Sequence, residues 1–274
     1  MKVKKIGIKH VFILFITAFF VISCGENLFK NLSTQDTSDA IFEDALKLID
    51  SQNYNDAIAK ILSLPAEYQE NTEVREALAG AYAGQCGMNF VNLVTELGKS
   101  STETFFKQLM NVYQTKDPVI AGCLQSETIM KNFGSAAVRT ADQNFFLLIY
   151  GFAKIGLFLR NFADTDKDGV TDATFDVCQD TSISDTNVKE LFIGLGLILE
   201  NFSGITSQIA NANAGTGITS ITTLCTNAGL NCAITDVASV TDPTSDSFRD
   251  ILNTNYLGVG SCALTGLAVV GCCP

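Results

Sequence analysis

Histidine is almost missing from this chain. Of 274 residues only His10 carries an imidazole, and it stands at the head of an N-terminal apolar run. That run, read as the core of an export signal, is removed on maturation, which leaves no imidazole at all. Ser-His-Asp and Cys-His nucleophilic machinery and any His-ligated metal are thereby excluded. Cys-x-x-Cys spacing is also missing, so neither a thiolate metal site nor a redox pair is marked. No paired acid, nucleophile elbow or phosphate loop occurs, and the chain is not expected to be an enzyme. Basic residues are scarce: 18 Lys and Arg stand against 29 Asp and Glu. Residues 1–23 hold four of the basic ones and none of the acidic ones, so the mature balance is 14 against 29, a net charge of −15. Such a surface disfavours nucleic acid and anionic lipid, which need clustered Lys or Arg, and favours cations and a basic partner. A long spanning run is missing at the N-terminus as well, because residues 11–22 fall short of the roughly 20 apolar residues a bilayer requires.

What is present there is specific. Lys2, Lys4, Lys5 and Lys9 precede the run, which closes in Val21, Ile22, Ser23 and Cys24. This tetrad resembles the lipobox of bacterial lipoproteins: an aliphatic residue, a tolerated small or aliphatic one, a small one, then cysteine. The resemblance implies diacylglyceryl transfer to Cys24, cleavage before it, and acylation of the new amino terminus by a fatty acid such as palmitate. Residues 1–23 are then a signal peptide and 24–37 a lipidated tether, since two or three acyl chains hold a protein stably at a membrane. Gly25, where an aspartate is absent, resembles the default route to the outer membrane. The expected location is the bacterial cell envelope, lipid-anchored at the periplasmic face or the cell surface.

After the tether the apolar period becomes helical. Ile41, Ala45 and Leu48 share one stripe, flanked by Phe42, Leu46 and Ile49. Asn53 is expected to cap a second helix, in which Tyr54, Ala57, Ile58, Ile61 and Leu62 recur until Pro65. Residues 53–58 with Leu64 and Pro65 resemble the second helix of a tetratricopeptide repeat, and 73–84 the first helix of a following one. Gln52 stands where that family has glycine, and no third repeat is evident, so a plain helical bundle is an equal alternative. Ser100 with Glu103 has capping-box spacing ahead of Phe105, Phe106, Leu109, Val112 and Tyr113. Residues 119–130 form a further predicted helix. The most apolar segments, 142–162 and 188–202, share an octet 40 residues apart (155–162 and 195–202) and are read as central buried helices. Exposed, they would form a partner-binding groove. From Ser203 the chain turns rich in small residues, with short helices predicted at 205–213, 218–226 and 246–256. The expected fold is all-α, helical-repeat-like or an irregular bundle over 38–202, with a loop-rich, disulfide-stabilised part over 203–274.

Eight cysteines remain besides Cys24: Cys86, Cys123, Cys178, Cys225, Cys232, Cys262, Cys272 and Cys273. An even number in an exported chain predicts disulfides, two to four of them. Cys225 with Cys232 can close a short loop, and Cys262 with Cys272 or Cys273 can pin the C-terminus.

The sharpest local motif is the run from Asp164 to Asp172. Alternate aspartates project oxygens toward one point when the backbone curls, and Gly169 permits the sharp turn. The pattern resembles the calcium loops of EF-hands and of thrombospondin type 3 and dockerin modules. That resemblance implies calcium held by Asp164, Asp166, Asp168, the Val170 carbonyl and Asp172. Phe175 occupies the place of the bidentate glutamate, for which Asp176 or Asp180 can substitute, giving a loop of 164–176 with a structural ion. The expected function is a protein-interaction scaffold or accessory component of an envelope assembly or transport system, with an envelope protein as partner. The alternative is a carrier holding a hydrophobic ligand between 142–162 and 188–202.

Overall fold

The computed structural model describes residues 37–99, 103–209, 222, 223, 225–254, 259, 260, 272 and 273, with the backbone alone for 203–209. Residues 1–36, Cys24 among them, together with Ser100 and Cys262, lie outside the described residues. Every regular element within them is helical, and no strand occurs. In chain order these are α1 (Ser38–Asp50), α2 (Tyr54–Leu62), α3 (Ala66–Gln69), α4 (Thr72–Cys86), α5 (Phe90–Leu97), α6 (Phe105–Tyr113), α7 (Ile120–Lys131), α8 (Ala141–Ala163), α9 (Asp185–Ile209) and α10 (Asp242–Leu252), with a 3-10 turn at Val237–Ser239.

Thr37 starts α1 by accepting the Ala40 N–H at 3.2 Å. α1 and α2 form a hairpin against α4, sealed by Phe42, Ala45, Ile61, Leu64 and Val74. Gln52 in the hairpin turn has φ +61°, a left-handed conformation in which glycine is the unstrained choice. Asn53 does not cap α2 through its oxygen; its Nδ2 instead donates to Asp56 Oδ2 at 2.7 Å. Tyr54 lays its ring over Gly84 of α4, where an added Cβ would meet ring carbon at 2.2 Å.

Helices α8 and α9 are the spine, with α6 and α7 packed on α8, α4 on α7, and α10 on α9. A capping box opens α8, since the Gln143 N–H donates to Thr140 Oγ1 and the Thr140 N–H to Gln143 Oε1. Its 23 residues would suffice to cross a bilayer, yet 78% of its most apolar window is buried in the helical body. The spine helices meet at Gly151 and Gly194: a Cβ on Gly151 would stand 2.6 Å from the Gly194 carbonyl oxygen. Backbone contact of that kind leaves no room for a ligand at the crossing.

Several boundaries differ from those read in the sequence. The cap of α6 is Thr104, which accepts the Lys107 N–H, and not Ser100. Residues 205–209 of the helix expected separately at 205–213 continue α9, because extending an existing helix costs far less than nucleating another, and 210–213 lie outside the described residues. α10 begins at Asp242, four residues early, with Pro243 in its first turn, where no N–H is needed.

Candidate metal centre

The acidic loop leaves the C-terminus of α8 and is closed on itself by the Asp172 N–H donating to the Ala163 carbonyl at 2.7 Å. Three of the expected ligands converge: one carboxylate oxygen from each of Asp164, Asp166 and Asp172 lies within 4.8 Å of the others. Asp164 is completely buried, Asp172 half-buried and Asp166 exposed, so the trio opens to solvent on one side. The Asp164 Oδ1 accepts the Gly169 N–H at 3.1 Å, while its Oδ2 is buried with no hydrogen-bond partner. Burial pushes the Asp164 carboxyl up, against the pull of the Gly169 N–H and of Arg160. For Asp172 burial also pushes upward, but donation from the Thr165 hydroxyl and N–H, at 2.5 and 3.0 Å, outweighs it and holds that carboxyl low.

The other expected ligands lie outside the trio. Asp168 Oδ1 accepts the Val170 N–H at 2.7 Å, and Val170 itself is exposed. Asp176 caps the next turn by accepting the Cys178 N–H at 2.9 Å. Asp180 is paired with Arg249 at 2.6 Å.

Residues distant in sequence dock the loop on α6 and the α6–α7 connection. Arg160, buried, donates to the Gln114 carbonyl at 2.8 Å and the Asp164 carbonyl at 2.6 Å. Lys107 Nζ reaches the Gly169 carbonyl at 3.2 Å, and Lys167 pairs with Asp117 at 2.5 Å. Gly169 has φ +77°, and a Cβ there would stand 2.2 Å from Gln114 Oε1, so the position demands glycine on two counts. Only the trio and Gly169 carry a signal in the local motif; Lys107, Gln114 and Asp117 carry none. Carboxylate oxygens alone suit a hard cation such as calcium or magnesium rather than a soft transition metal.

Below the loop, Cys178 and Cys273 stand as a bonded pair (Cα–Cα 5.3 Å), which ties the chain end to this region. Cys86 joins Cys123, linking α4 to α7, and Cys225 joins Cys232. Cys272 is disulfide-bonded as well. Of the two partners expected for Cys262, Cys273 instead reaches across 95 residues to Cys178, and Cys262 itself lies outside the described residues.

A second feature was not anticipated. Ile49, Tyr54, Gly84, Met88, Phe90, Val91 and Phe146 line a cleft of about 380 Å³ between the N-terminal hairpin and α5. Val91 is 70% exposed, and Val94, one turn further along α5, is 38% exposed.

No known protein family, no curated protein and no solved structure matches this chain.

Proposed function

We propose that this chain is a lipid-anchored bacterial envelope protein whose helical body is a protein-interaction scaffold, an accessory part of an envelope assembly or transport system, with a cation-braced loop and no catalytic role of its own. The observation that supports the binding role is the apolar cleft beside α5. Phe90 and Val91 stay exposed in its wall, and Val94 is exposed one turn further along α5, on a body whose large apolar side chains are otherwise mostly buried. Contiguous exposed apolar surface of this kind marks interaction sites. The lipobox-like tetrad ending in Cys24 supports the anchor. The carrier reading loses support at the Gly151–Gly194 crossing, where the two apolar helices touch backbone to backbone.

Two measurements test the proposal. Labelled palmitate should enter the parent and not Cys24→Ser; its absence from the parent removes the anchor. Full-length tagged chain drawn from detergent-solubilised envelopes should bring a stoichiometric envelope protein, and Val91→Glu should lose it. Recovery of the chain alone refutes the scaffold.

A further inference from the structure

The trio of carboxylates carries more than the motif it came from. Resting on the reading of the loop as a cation site, we infer that it is a three-carboxylate, part-hydrated calcium site built from Asp164, Asp166 and Asp172, in which Asp168 and Asp176 are backbone caps and not ligands.

The carrying observation is Asp164. Its side chain is 0% exposed, Oδ1 is satisfied by the Gly169 N–H, and Oδ2 is buried with no partner. A buried polar oxygen in that condition calls for a missing partner. Asp166 and Asp172 each place a carboxylate oxygen within 4.8 Å of an Asp164 carboxylate oxygen, so the missing partner is positively charged. Among the described residues no Lys or Arg forms an ion pair with any of the three. The nearby cations are engaged elsewhere: Lys167 on Asp117, Arg160 on two carbonyls, Lys107 on the Gly169 carbonyl. Thr165 grips the Asp172 carboxylate through both its N–H and its hydroxyl, so this ligand is oriented before any ion arrives.

Three protein oxygens fall short of the roughly 6–8 that calcium takes, and the solvent-facing side at Asp166 admits water to complete the shell. Calcium tolerates such an irregular set, whereas magnesium demands near-ideal octahedral geometry and dehydrates reluctantly. Asp168 does not join the cluster in which the other three carboxylates come within 4.8 Å of one another, and its Oδ1 accepts the Val170 N–H.

The test is calorimetric titration of the full-length protein in detergent with calcium and, separately, magnesium. The parent should take up a single calcium ion with a dissociation constant of about 10⁻⁴–10⁻³ M, the range of weak extracellular sites, and take magnesium at least about tenfold more weakly. Asp166→Asn is the informative variant, because Asp166 is exposed and the amide keeps an acceptor for the Asp168 N–H. It should weaken calcium at least about tenfold, as should Asp172→Asn, with the melting curve in chelator unchanged for Asp166→Asn. Asp168→Asn and Asp176→Asn, which retain acceptors for the Val170 and Cys178 N–H groups, should bind as the parent does. Loss of binding in Asp168→Asn equal to that in Asp166→Asn overturns the ligand set but leaves the cation site standing. No calcium uptake by the folded parent at about 10 mM overturns both. Neither outcome touches the anchor, which the palmitate label decides.

Discussion

Replacing Lys154 by methionine keeps the length of the side chain and removes one charge from the centre of the fold. Lys154 is 0% exposed on α8, and its Nζ lies 2.5 Å from Glu127 Oε2 on α7 and 2.5 Å from Glu190 Oε2 on α9. Glu127 retains Lys131 at 3.3 Å after the change, but Glu190 has no other ion pair among the described residues. The ring of Phe158, 5.8 Å from Nζ, loses its cation too. Removing one partner of a buried pair costs about 3–5 kcal/mol, because the remaining charge stays buried without compensation. For a chain of this size that corresponds to a fall of about 10 °C in melting temperature. Urea denaturation followed by helical circular dichroism measures it without adding screening salt. The combined change Lys154→Met, Glu127→Gln, Glu190→Gln should recover most of the loss, since a neutral replacement of the whole cluster is near neutral or stabilising. A single variant costing under about 1 kcal/mol, the scale of an exposed pair, refutes the reasoning. So does a triple variant no more stable than the single one.

Gly151→Val should destabilise by at least about 1–3 kcal/mol, because its Cβ would meet backbone atoms of α9 that cannot move aside; a parent-like urea midpoint contradicts the close crossing. Gln52→Gly should raise stability by up to about 1 kcal/mol, the left-handed strain at φ +61° outweighing the entropy of glycine; a lower urea midpoint counts against it. Acid should destabilise in a defined window. Glu96, Asp117 and Asp242 are held below the usual carboxylate range by hydrogen bonds from Lys99, Lys167 and Lys189 respectively. Their contribution is complete above about pH 5 and is lost as pH falls through their lowered values. Melting temperature against pH between about 2 and 6 checks this, and a protein no less stable at the acid end denies it. Reduction of the Cys178–Cys273 bond, which closes a 95-residue separation, should lower the melting temperature; an identical curve in reductant shows that the bond contributes nothing.

Much of the helical body was legible because helix formation is local. The stripe of Ile41, Ala45 and Leu48 and the recurrence of Ala57, Ile58 and Ile61 lie where α1 and α2 are, since residues three and four apart share a face whatever the rest of the chain does. Capping was less legible: Ser100 and Thr104 are both chemically competent, and which one caps α6 depends on where the chain enters the bundle. Lys154 reads in sequence as an interruption of an apolar run. Its two glutamates stand 27 and 36 residues away, and no local pattern announces them.

The sequence by itself determined the all-helical class, the acidic balance, the scarcity of histidine and the position of the aspartate loop, because each depends on composition or on neighbours within one or two turns. Only the tertiary structure decided that Asp164, Asp166 and Asp172 converge while Asp168 does not, that Cys178 takes Cys273, and that α8 and α9 touch at paired glycines. Those are matters of which distant surfaces meet. The direction of a carboxylate or a thiol is set by the helices packed around it, as Arg160, Lys107 and Gln114 orient this loop, and not by its spacing along the chain.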